Sequence, residues 1–324
     1  MSFIEVKNIC KDYKIAKMEP GLTGAFKSLF HREYTVREAV KDICFSIERG
    51  EIVGYIGPNG AGKSTTLKML SGILIPTSGE IRVNGIIPYK SRKENSKHIG
   101  VVFGQRSQLY WDLPVSDTFD LYESLYEIPK ERFEKNKKFY VDLLEMGDFM
   151  GQPVRQLSLG QKMKANIAIA LLHEPYVLYL DEPTIGLDVT SKKILRESIK
   201  LINEEKKTTI MLTTHDMDDI EAVCQRLILI NKGQKLFDGT LQAFRSRFED
   251  SFILKLEFED NTPQWVEKEG FSLVESDPHI WLIKVSGISA KNAMIEMIGR
   301  YDPTNIYAQE QRIDDIVRSV FVNI

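Results

Sequence analysis

Residues 51–70 read Glu51-Ile-Val-Gly-Tyr-Ile56, then Gly57-Pro-Asn-Gly-Ala-Gly-Lys-Ser64, then Thr65-Thr-Leu-Lys-Met-Leu70. An apolar run of strand length leads into a glycine-rich loop, and a helical stretch follows. This is the G-x-x-x-x-G-K-S pattern in the strand–loop–helix context that a phosphate-binding loop requires. The glycines let backbone N–H groups turn inward around phosphate oxygens without Cβ clashes. The helix that follows points its positive end at the anion. Gly57, Pro58, Asn59, Gly60, Ala61, Gly62, Lys63, Ser64 and Thr65 are therefore the expected nucleotide cradle. Within it Lys63 reaches the β- and γ-phosphates, and the Ser64 hydroxyl ligates Mg²⁺.

A second buried-strand run, Tyr176-Val-Leu-Tyr-Leu180, ends in Asp181-Glu182-Pro183. In a parallel α/β sheet, ligands collect beyond the carboxyl ends of the strands. Asp181 is thereby placed to hold the Mg²⁺ shell, and Glu182 to orient or activate an attacking water. Phosphoryl transfer needs little covalent chemistry from the protein, so positioning and charge stabilisation carry its rate.

Between these two motifs lies Leu157-Ser-Leu-Gly-Gln161. Ser158 to Gln161 has the S-x-x-Q form of a capping box, and a helical stretch from Lys162 to Leu172 follows. The open N–H groups and dipole end of such a helix tip suit it to grip a phosphate.

The three motifs in this order resemble the nucleotide-binding subunit of an ABC transporter over residues 1–240. The resemblance implies an α/β P-loop NTPase fold with antiparallel β and helical subdomains, the latter at 116–173, and a stretch at 17–35 that looks inserted. It assigns Gln105 to the family's Q-loop, Leu157–Gln161 to the signature, Gly186-Leu-Asp188 to the D-loop and His215 to the switch histidine beside the γ-phosphate. Gln105 would sense Mg²⁺ and the attacking water and link the site to a permease. Ser158, Gly160 and Gln161, with Asp188, would then meet ATP bound on a second subunit. Leu159 stands where the family usually has glycine. Tyr13 is the candidate for stacking on adenine, with Tyr34 as runner-up, and stacking on an aromatic ring is worth about 1–3 kcal/mol in nucleic-acid systems. Tyr110 and Trp111, in an aromatic, proline-broken loop after Gln105, would wall the groove that receives a permease helix. His173 reads as a helix-end residue with no catalytic task.

The composition is compatible with this reading. The chain has 324 residues, 43% hydrophobic and 27% charged, with a net charge of −3, which gives no basic excess to draw it onto nucleic acid. Its three cysteines, Cys10, Cys44 and Cys224, lie far apart in no metal-type spacing, so a reduced, cytosolic chain is expected. No secretion signal opens it, and no apolar run nears the ~20 residues that span a bilayer. Residues 1–15 and 36–50 read as short antiparallel strands around the insert. Leu22, Phe26, Leu29 and Phe30 of the insert follow helical spacing beside basic residues, which fits a helix packed on its own domain or on a membrane or partner.

Beyond residue 240 the pattern changes. Phe252–Phe258 and His279–Val285 alternate as strands, while Ala290–Arg300 and Ile313–Val322 look helical. This α+β domain, 241–324, resembles the C-terminal extension of drug- and sodium-exporter ATPases more than the all-β tail of many sugar importers. The expected function is the ATPase of a multi-component exporter, at the cytosolic face of the membrane. It would dimerise with a copy of itself or a paralogue and drive separate permeases. An importer ATPase, or a soluble family member acting on nucleic acid or ribosomes, is the alternative. One module without sustained heptads or cysteine pairs speaks against the soluble relatives.

Overall fold

The computed structural model describes residues 2–16, 34–104, 107–247, 251–259, 262–309 and 313–322. Gln105 and most of the stretch expected as an insert, 17–33, lie outside the described residues. The chain divides into two compact units, Met1–Gly239 and Thr240–Ile324.

The first unit opens with a long hairpin. β1 (Ile4–Ala16) pairs antiparallel with β2 (Tyr34–Ile47), and β4 (Ser78–Val83) joins the other edge of β1. The strands are longer than the short ones expected, and Tyr34 and Thr35 belong to β2 rather than to the insert. Register shifts after Val6 and Ile9 bend the hairpin, and its inward residues Ile4, Ile9, Ile43 and Ile47 are buried.

The second sheet carries the site. β3 (Ile52–Ile56) leads into α1 (Lys63–Leu70); α2 (Arg92–Ser96) precedes β5 (Ile99–Phe103). A helical layer follows, made of α3 (Val115–Leu125), α4 (Lys130–Leu143) and α5 (Leu159–Leu171). The chain returns through β6 (Val177–Asp181), α6 (Val189–Lys206), β7 (Thr209–Thr214), α7 (Met217–Val223), β8 (Arg226–Asn231) and β9 (Gln234–Thr240). Strand order is β5-β6-β7-β3-β8-β9, and β5 through β8 run parallel. Every residue of β3, β6 and β7 is buried. That is why these strands read as unbroken apolar runs: a parallel strand is covered on both faces. The main core lies where α1 packs among the hairpin and this sheet, through Leu67 and Leu70 against Tyr55, Tyr179 and Ile228.

The second unit holds α8 (Leu241–Ser246), β10 (Ser251–Glu257), β11 (Phe271–Asp277), β12 (Ile280–Ser286), α9 (Ala290–Tyr301), β13 (Asn305–Gln309) and α10 (Ile313–Val322). Its sheet is antiparallel in the order β11-β12-β10-β13. Leu254, Leu256, Trp281, Ile283 and Val285 of that sheet are buried with Ala293 and Met297 of α9. Among the described residues, no helix is long and apolar enough to cross a membrane.

His173, just past α5, stacks on Tyr126 at 4.1 Å. Its Nε2 donates to the Ile99 carbonyl at 3.1 Å, while its buried Nδ1 has no protein partner. Burial pushes its pKa down to about 4, so the folded protein holds it neutral. An unfolded chain protonates the same ring near its ordinary value of 6.5. Stability is therefore full above that pH and falls as pH drops toward 4, by up to about 3 kcal/mol from this residue. His173→Phe keeps an aromatic ring against Tyr126, and is expected to flatten the melting-temperature profile between those two pH values. An unchanged slope would contradict the assignment.

Candidate functional site

Three loops at the carboxyl ends of adjacent strands converge on one cleft. The strand order puts β3 beside β7 and β7 beside β6, so the residues that follow them, far apart in sequence, become neighbours. The cleft has a volume of about 1050 Å³ and is lined by Pro58, Asn59, Gly60, Gly62, Lys63, Ser64, Thr65, Asp181, Glu182 and His215, and by Tyr13 and Arg37 of the hairpin.

The loop conformation depends on glycine at one position above all. Gly62 has φ +108°, and a Cβ there would lie 2.6 Å from the Ala39 carbonyl oxygen. No other residue fits that combination of backbone and space. From the start of α1, the Lys63 ammonium donates to the Gly57 carbonyl at 2.6 Å and sits 3.3 Å from Glu182 Oε1.

Glu182 is held on both sides. Its second oxygen accepts from His215 Nδ1 at 2.6 Å, an arrangement that fixes the tautomer and leaves Nε2 for another partner. Glu182 itself has φ +54°, a left-handed conformation that costs a residue with a Cβ roughly 1–2 kcal/mol. The backbone is kept there by its N–H, which donates to the Thr213 carbonyl at 3.0 Å. The Thr213 hydroxyl also donates to Asp181 Oδ1 at 2.6 Å, so one β7 residue orients both acids.

Behind them lies an ion pair that sequence reasoning missed. Asp219, fully buried, accepts from Thr214 Oγ1 at 3.0 Å, from Arg196 Nε at 2.6 Å and from Thr184 Oγ1. It thereby ties α7 and α6 to the residues flanking His215 and Pro183. A lone aspartate in an acidic run gives no sequence signal for this, since its partner lies 23 residues away. Arg37 was missed for a similar reason. It is the cross-strand partner of Tyr13, and its Nη2 would lie 3.8 Å from a Cβ at Gly60.

The structure separates the expected residues into two groups. Tyr13 lines the cleft, whereas Tyr34 is exposed and does not. Ser158, Gly160, Gln161 and Asp188 lie outside the cleft's lining. Ser158 caps α5: its Oγ accepts from the Gln161 N–H at 3.2 Å, and its own N–H donates to Gln161 Oε1 at 2.9 Å, completing the capping box. Leu159 opens the helix with its side chain half exposed. Gly160 is needed for space, because a Cβ would lie 2.7 Å from Ser191 Oγ. Asp188 caps α6 by accepting from the Ser191 N–H at 2.8 Å and hydroxyl at 2.7 Å. Those bonds hold its carboxyl below the usual carboxylate range.

A strand–loop–helix cradle with two acids and a histidine at neighbouring strand ends defines a nucleoside-triphosphate-hydrolysing α/β protein. Comparison with known proteins agrees. The family model described as ABC transporter matches residues 40–185. The ABC transporter ATP-binding protein NatA of Bacillus subtilis (strain 168) is 36% identical over 214 residues, 66% of this chain and 87% of NatA. The methionine import ATP-binding protein MetN of Latilactobacillus sakei subsp. sakei (strain 23K) is 36% identical over 220 residues, 66% of this chain and 63% of MetN. Among solved structures, the dimeric post-hydrolysis state of the ATP-binding cassette MJ0796 bound to ADP and Pi superposes with a TM-score of 0.61 at 26% identity, covering 74% of this chain and 98% of that one. The chain belongs to the ABC transporter family: it is an ATP-binding ATPase subunit.

Lys63→Ala removes a charged donor from the cradle and is expected to weaken ATP binding to the isolated chain on the order of tenfold to a hundredfold. Ser158→Ala, on the separate helix tip, should leave that affinity unchanged. Calorimetry on the two variants checks both; equal affinities for parent and Lys63→Ala would contradict the site.

Proposed function

We propose that this subunit powers a multi-component exporter by closing head to tail with a second ATPase chain around two ATP molecules. The observation that carries this reading is the separation just described. The cradle and its acids line one cleft, while the capped tip of α5 is not part of that lining. In this reading Ser158, Gly160 and Gln161 complete the site of the partner chain, and Asp188 borders it. Each cleft receives the same contacts in return, from a copy or a paralogue.

The chemistry is attack of water on the γ-phosphate. Glu182 accepts the water's proton or orients the water. Its two oxygens are held by Lys63 and His215, and the residue lines the cleft. Lys63 neutralises β- and γ-phosphate charge, and His215 stabilises the transferring phosphoryl group, as does the partner's tip. Tyr13 supports the base, and Gln105 links the site to the permease-facing surface. Ser64 and Asp181 line the same cleft and offer only hard oxygen donors, the donor type that suits Mg²⁺. Held there with ATP, the ion would supply neutralisation of phosphate charge.

Work is delivered to separate permeases, which would hold the chain at the cytosolic face of the membrane. The surface for them is the segment after Gln105, where Tyr110 is 50% and Trp111 62% exposed. Contiguous exposed aromatics of this kind mark interaction sites. Nucleic acid is not the partner in this reading. Export is favoured by the C-terminal unit, an antiparallel sheet with helices rather than an all-β tail. Import is the second reading, favoured by the similarity to MetN.

Glu182→Gln is expected to leave ATP binding intact, to reduce hydrolysis by about a hundredfold or more, and to trap a dimer in ATP. Light scattering with and without ATP, beside a phosphate-release assay, checks this. Undiminished turnover in the variant would overturn the role of Glu182.

A further inference from the structure

A polar joint that the hydrolytic chemistry does not use lies between the segment after Gln105 and the helix tip at Ser158. Residues 110–116 run beside 150–155 and are bonded to them along their length. Arg155 N–H donates to the Trp111 carbonyl at 3.0 Å, Val154 N–H to Leu113 at 3.1 Å, and Ser116 N–H to Met150 at 2.9 Å. The next anchor comes from inside the signature helix. Asn166 Oδ1 accepts from the Gln108 N–H at 2.7 Å, and Asn166 Nδ2 donates to the Lys162 carbonyl one turn back at 2.8 Å.

Asn166 is an unusual occupant of its position. It is 5% exposed, and residues 167–171 after it are all buried and apolar. An apolar side chain there would pack without the desolvation cost that an amide carries unless it is bonded. The amide therefore supplies direction, which apolar contact lacks. The residue it holds is pinned in turn: Gln108 Nε2 donates to the Val101 carbonyl at 2.5 Å, and Gln108 Oε1 accepts from Tyr122 of α3 at 3.1 Å. Val101 lies in β5, the strand that leads to Gln105. The helix carrying Ser158 is thus registered, through two amides, to the strand that leads to the nucleotide-sensing loop.

We propose that Asn166 and Gln108 are positioning residues that lock the Ser158 tip and the exposed Tyr110–Trp111 segment into one rigid piece. Movement of a transmembrane partner on that segment then carries the tip toward or away from the second chain's nucleotide. This rests on the reading of Ser158 given above.

The test uses the full chain with Asn166→Leu, which keeps the branched shape of the side chain and removes its hydrogen bonds to Gln108, Lys162 and Ser107, alone and with Glu182→Gln. ADP affinity of the single chain should stay within about twofold of the parent's. ATP-dependent dimerisation in the Glu182→Gln background should weaken by about tenfold, the worth of one to two buried hydrogen bonds. Gln108→Leu should give the same pattern, and the double variant should be little worse than either single. If Asn166→Leu does not fold, Gln108→Leu alone decides the matter by the same readouts. A Glu182→Gln parent that dimerises, with variants that dimerise equally well, would overturn the proposal alone; so would a parallel loss of ADP affinity. A parent that fails to dimerise in ATP overturns the reading of Ser158, and the proposal falls with it.

Discussion

A carboxylate held between a lysine and a histidine is the constraint around which the first unit is built. Glu182 meets Lys63 on one side and His215 on the other, three residues spread over more than 150 positions of sequence. Only a parallel sheet with β6, β7 and β3 as neighbours brings the three loops to one end. Lysine and histidine then offset the burial of the acid. The left-handed turn at Glu182 is tolerated because Thr213 holds its N–H and aligns Asp181 with the same residue. The buried Asp219–Arg196 pair extends this order outward to α6 and α7. Strain at the acid is thus over-determined by the sheet behind it, as is common where a backbone must be fixed for chemistry.

The proposed other half of the machinery is built on a different principle. The tip of α5 is shaped locally, by a serine and a glutamine that satisfy each other's backbone, and it owes nothing to the strand ends. What it needs is a fixed orientation relative to the cleft, and apolar packing of the helical layer supplies contact without direction. The Asn166–Gln108 joint and the backbone ladder between 110–116 and 150–155 supply that direction. The proposed site, shared between two chains, would demand such stiffness, because each cleft would then be completed by a tip presented from outside.

Much of this was legible in the sequence because it is local. Gly57–Ser64 carries its conformation in its glycines. The Ser158–Gln161 box is a four-residue contact, and the buried strands announce themselves as apolar runs. Contacts set by register or by distant helices left no such mark. Arg37 faces Tyr13 only because the hairpin pairs them in that register. Asn166 meets Gln108 across 58 residues, and Asp219 looks like any acid in a solvated helix start. Two strands of the second unit were also invisible. Alternation in β11 is broken by a register shift between Leu273 and Glu275, and β13 is a short, mostly exposed edge strand. Its two longer helices and its two central strands, by contrast, kept clean periodicity, while the short α8 was not foreseen.

The central claim is that each nucleotide is completed by two chains, and complementation between two disabled forms tests it most directly. Lys63→Ala lacks a working cradle but keeps its tip; Ser158→Arg keeps its cradle but blocks its tip. Neither alone should hydrolyse ATP above a few per cent of the parent rate, roughly the effect of removing one charge-stabilising group. Mixed, they form a heterodimer with one intact site, and ATPase activity should reappear in proportion to the mixed species. A mixture no more active than the sum of its two components, with mixed dimers shown to be present, would contradict the account.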